Sequence, residues 1–142
     1  MRLAIVLSLL ATPLMGWEFS ANPICTVRHE TPDVALEMTY DHGTGLYALH
    51  LTTPGPWPDD PVFGIRFDGP AGLIISTTRQ SFSADRRKVT ATDTGFGNVL
   101  NGLQFNDTAT ALLGAVAVPI PLSGAAPEIA AFRDCTTASP SV

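Results

Sequence analysis

The sequence predicts a mainly β protein, a β-sandwich or partly closed barrel with one or two short helices. Three observations predict it. Apolar and polar residues alternate through most of the chain, Gly, Pro, Asn and Asp punctuate the alternating stretches, and only two stretches carry helical spacing. The twelve prolines and twelve glycines mark turns, because the stretches between them are rich in Val, Ile, Leu and Phe.

Each element follows in order. "WEFSA" and "ICTVRHE" read as the first strands and bring Cys25 into a sheet. In "DVALEMTY" one face holds Val34, Leu36, Met38 and Tyr40, and in "LYALHLTT" one face holds Tyr47, Leu49 and Leu51. The intervening "DHGTG" supplies the glycine-containing turn of a hairpin. Matching the apolar faces pairs Tyr40 with Tyr47 and sets Glu37 opposite His50 on the outer face, a cross-strand pair that accounts for the histidine. After the Pro-rich connection 54–61, "VFGIRFDG" alternates Phe63, Ile65 and Phe67 before a turn at "DGPAG". "LIISTTR" and "KVTATDT" read as a further hairpin joined through "QSFSADRR", whose "DRRK" (85–88) reads as a solvated tip, with an anion site as the alternative. "TATALLG" and "VAVPIPL" form the last hairpin. Pro119 and Pro121 donate no ladder hydrogen bond and assign its second strand to a sheet edge.

The two exceptions are helical. In "GFGNVLNGLQFND" (95–107), Phe96, Val99, Leu100 and Leu103 fall at i, i+3, i+4 and i+7. Thr94 is placed to cap the start and Asn101 or Asn106 the end. Gly95 and Gly97 are assigned to a tight passage from strand to helix, and Gly102 to close helix–sheet contact. In "APEIAAFRDC", Pro127, Glu128, Ile129, Phe132 and Arg133 mark a C-terminal helix.

The N-terminal "MRLAIVLSLLATPLMG" couples a basic start to a short apolar run, the pattern of a secretory signal peptide. The expected organisation is therefore a signal peptide over 1–16 and a single β-rich domain over 17–142, exported to the periplasm or the exterior. The run is too short to span a bilayer, which takes roughly 20 apolar residues, and no integral membrane segment is expected after cleavage. Loss of Arg2 leaves seven basic residues against thirteen acidic ones, a net charge of −6. Such a chain is a poor partner for nucleic acid, whose phosphates are bound through clustered Lys and Arg. In an oxidising compartment the two cysteines, Cys25 and Cys135, form the one intramolecular pair the chain allows. That bond closes a loop of about 110 residues, for which chain entropy gives roughly 4–5 kcal/mol as an upper value.

No reaction is named by the motifs. Gly95, Gly97 and Gly102 give G-x-G-x-x-x-x-G with Leu103 where a phosphate-loop lysine would stand, so no nucleotide or other cofactor is implied. Ser123 lies in "PLSGA" and not in a nucleophile elbow. Asp59 and Asp60 are neighbours in a loop, whereas glycosidase carboxylates oppose each other across a cleft. His29, His42 and His50 lack zinc-motif spacing and read as turn and strand-end residues. Two functional readings follow. The leading one is a non-enzymatic domain that binds a partner or supports the envelope, with Trp57, Asp59 and Asp60 as a partner surface, or with Trp57 folded over the sandwich edge as a lid. The alternative is a small metal- or anion-dependent enzyme using His42, Asp41 and the helix start near Phe96.

Residues 95–135, with "NVLNG", a β-hairpin, the run "VPIPLSGAAPEIAAF" and a closing helix, resemble the end of the invasion-associated locus B family. The resemblance implies a β-sandwich-like exported domain without an established enzyme activity. The chain departs from it in "LSGAAP", where the family carries a Gly-Phe pair. Short exported chains of this look also borrow the name of the excinuclease helicase component, which implies a DNA-repair role that these residues do not support. That role needs a nucleotide loop, a cytoplasmic address and a basic track.

Overall fold

The computed structural model describes residues 16–138; the signal peptide expected over 1–16 lies outside them except for Gly16. Ten strands form two sheets, all of their pairings antiparallel. The six-stranded sheet has the order β1 (Glu18–Ser20), β2 (Cys25–Glu30), β3 (Ala35–Asp41), β4 (Leu46–Thr52), β8 (Lys88–Asp93), β7 (Ser81–Phe82). The four-stranded sheet has the order β10 (Val116–Pro121), β9 (Thr108–Leu113), β5 (Phe63–Asp68), β6 (Leu73–Thr77). Helices α1 (Gly97–Gln104) and α2 (Ala125–Thr137) complete the fold. It is a β-sandwich-like arrangement of two open sheets, not a closed barrel.

The period-2 reading places the core. Val34, Leu36 and Met38, Leu49 and Leu51, and Phe63, Ile65 and Phe67 are all buried in one cluster that also takes Leu100, Leu103, Ile129 and Phe132 from the helices. Register follows from the apolar faces, since a slip of one residue would turn each strand's apolar set outward. Tyr40 stands opposite Tyr47 and Glu37 opposite His50, as the sequence predicts. β10 is an edge strand, as its prolines require. The disulfide between Cys25 and Cys135 ties β2 to α2 across 110 residues.

One pairing differs from the expectation. β6 and β8 do not form a hairpin: β6 pairs with β5, and β8 pairs with β4 and with the two-residue β7 that the connection itself contributes. The outward face of β8 explains the choice, because Thr90 stands opposite His50 and its hydroxyl lies 2.8 Å from His50 Nδ1.

α1 confirms the packing role of Gly102. A Cβ there would fall on the ring of the buried Phe67, so the helix lies on β5 at a distance that no side chain permits. Gly102→Ala is expected to cost about 1–3 kcal/mol in urea unfolding, the usual penalty of overpacking. The other two glycines differ from expectation. Gly95 and Gly97 have no positive φ, and a Cβ on either meets nothing within 4 Å, so the strand-to-helix passage does not require them. Nor does Thr94 cap the helix: it lies two residues before the N-cap Phe96, and its amide and hydroxyl both donate to Asp93 Oδ1. Asn106 does hold the other end. Its Nδ2 donates to Gly102 O and Ala71 O, and its Oδ1 accepts from Ala71 N, which fixes the end of α1 to the β5–β6 turn. α2 starts at Ala125, after Gly124 at φ 83°, and Glu128 in its first turn accepts a hydrogen bond from Phe19 N.

Candidate functional site: a cleft between the sheets

Trp57 is 2% exposed and is therefore a lid, not a contact surface. Its Nε1 donates to Leu51 O at 3.3 Å and Arg87 O at 3.1 Å, and its ring meets Phe63 edge-on. Burial of an indole requires such acceptors, and the paired strand ends supply them. Asp59 remains exposed beside it, while Asp60 turns inward enough to accept a hydrogen bond from Val62 N. The three residues thus do not make one surface. Arg86 is not a solvated tip residue either. Its guanidinium donates to Trp57 O and Pro58 O and lies 4.2 Å from the Phe82 ring centroid, clamping the Pro-rich loop over the sandwich. Its φ of 59° is the feature that a reading of "DRRK" as a charge run misses.

The histidines occupy three environments. His42 lies in the exposed β3–β4 turn, edge-on to Tyr40, and Asp41 Oδ1 accepts from Gly43 N in the same turn. Phe96 is reached from there only through Tyr40 and Tyr47, each stacked or tilted on the next. His42 and Asp41 therefore do not converge on the helix start, and no group of three or more His, Cys, Asp or Glu side chains suited to a metal assembles among the described residues. His50 lies in a polar row across the outer face of the larger sheet, Glu18–Arg28–Glu37–His50–Thr90–Ser81. Arg28 and Glu37 pair at 2.8 Å in solvent, a contact of small energetic weight. Burial, and then the Lys88 charge, lower the pKa of His50.

His29 departs most from its expected strand-end exposure. It is 8% exposed, on the inner face, and stacked on Trp17 with ring centroids 4.5 Å apart. Neither ring nitrogen has a hydrogen-bond partner among the described residues. Burial lowers its pKa below 6.5; the Gly16 backbone pulls weakly the other way without completing a hydrogen bond. The sign of the consequence is fixed: the unfolded chain takes up a proton that the folded one resists, so stability is full above the ordinary histidine pKa and falls as pH drops through the folded value. Urea midpoints should fall from pH 7 to pH 5.5, and His29→Phe, which keeps the stack, should flatten that fall.

The main concavity lies elsewhere. Between the β8 side of one sheet and the β6 edge of the other, a cleft of about 440 Å³ is floored by Leu49, Phe63, Ile65, Ile75, Ala91 and Phe96. That volume lies within the range of small-ligand and peptide-anchor sites. Gly95 and Gly97 line its mouth, and their missing side chains leave it open. Asp93 is the one charged residue that lines it, and no cation does. An anion at the start of α1 would therefore meet a carboxylate without a compensating charge. The cleft is suited to apolar groups.

Fold and cleft together define a two-sheet β domain with an apolar intersheet cleft. Comparisons with protein-family models, curated proteins and solved structures find no match to the chain.

Proposed function

We propose that the chain is an exported, non-enzymatic binding domain whose ligand site is the cleft between β6 and β8. One observation carries this reading: the apolar floor of Leu49, Phe63, Ile65, Ile75, Ala91 and Phe96 is reached from solvent through a mouth lined by side-chain-free Gly95 and Gly97. Export is supported by the basic-then-apolar N-terminus and by the disulfide, a bond that persists in oxidising compartments. Mass analysis of the exported protein without reductant should find Trp17 at the N-terminus and two hydrogens missing; a free-thiol product would overturn the assignment to an oxidising compartment.

The cleft is tested with the neutral apolar dye Nile red. Saturable fluorescence enhancement is expected for the native protein and is lost in Gly95→Phe, whose new side chain has open space to enter. Equal enhancement by native protein and variant, or none by either, would remove the cleft as the site.

A further inference from the structure

We infer that the occupant of the cleft is an extended segment of a partner protein, bound as an added strand along β6; this rests on the cleft being the ligand site. Four strands end the two sheets, and three of them are blunted in familiar ways. β1 has three residues, β7 has two, and β10 carries Pro119 and Pro121. β6, "LIIST", has five residues with neither charge nor proline, and its Ile74 is 68% exposed. An unprotected edge of that kind is a template for strand addition.

The cleft lies against this same edge. A pocket confined to the inner face of a strand touches alternate residues, because successive side chains point to opposite faces. Here three consecutive residues of β6, Ile75 to Thr77, and three of β8, Ala91 to Asp93, line the wall. The pairing of β7 ends at Thr90, so Ala91–Asp93 have no strand neighbour on that side. Backbone hydrogen-bonding groups therefore border an apolar floor, and a peptide supplies both complements: main-chain donors and acceptors for the edge, and every second side chain for the floor. An acyl chain would leave the edge unpaired. Asp93 adds charge complementarity for a Lys or Arg in the segment. A second copy fits less well, since its own Leu73 and Ile75 already pack on their own core and would leave the cleft empty.

The probe is a phage-displayed library of linear heptapeptides, selected on the intact disulfide-bonded domain. Enriched peptides are expected to alternate apolar and polar residues and to carry a basic one. The leading peptide, made synthetically, should bind about tenfold more weakly to Ile74→Lys and to Gly95→Phe, and about tenfold more weakly when its edge-facing amides are N-methylated. Both variants should keep the native urea midpoint. Peptides that bind N-methylated as well as unmodified, or that are not enriched at all, would overturn the inference while Nile red binding leaves the cleft standing; loss of both would remove the cleft as well. A concentration-dependent dimer abolished by Ile74→Lys would overturn it in favour of a second copy.

Discussion

Replacing both cysteines by serine is expected to lower stability by about 2–5 kcal/mol, read as a fall in the urea midpoint, with dithiothreitol producing the same loss in the unmutated protein. The bond joins Cys25 on β2 to Cys135 in the last turns of α2, so it closes nearly the whole described chain into one loop. A long loop gives the unfolded state the most freedom to lose, which is why the effect stands at the upper end for a domain of this size. α2 retains Ile129 and Phe132 in the core. The reduced protein should therefore fold at low urea and unfold earlier; an unchanged midpoint would mean that α2 docks without the bond.

Trp57→Ala is expected to cost about 3–5 kcal/mol, the range for removing a buried aromatic side chain. Trp57→Phe separates the two contributions. It keeps the ring against Phe63 but leaves Leu51 O and Arg87 O without the indole donor, at about 1–3 kcal/mol. Arg86→Ala should loosen the same loop, since its guanidinium holds two carbonyls there. A small effect of Trp57→Ala would contradict the lid and restore a surface role.

These residues show where the sequence was informative. The β3–β4 pairing was legible because one short turn and two apolar faces leave a single register that buries both. Gly102 was legible because the helical spacing of Phe96, Val99, Leu100 and Leu103 puts it on the packed side. The partner of β6 was not legible. Neighbouring strands usually pair, and the contacts that overrule this, Thr90 with His50 and Ile75 with Ile65, join residues distant in sequence. Trp57 between prolines could face either way, because proline sets the path of the backbone and not the side on which it packs. His29 was hidden for a related reason: it occupies an inward position of β2, and only Trp17 across the β1 end gives an imidazole an apolar place there. The cleft follows from the gap between two sheet edges, a property of sheet order that no local pattern records.

The central claim, that the open edge beside the cleft receives a strand, is tested most directly by amide hydrogen exchange with and without the selected peptide. The edge-facing amides of Leu73–Thr77 and Ala91–Asp93 should exchange faster than those of the interior strands β4 and β5 in the free protein. With peptide, those of β6 should slow. Slow exchange along β6 in the free protein, or peptide protection confined to the Glu37–His50 face of the larger sheet, would contradict the account.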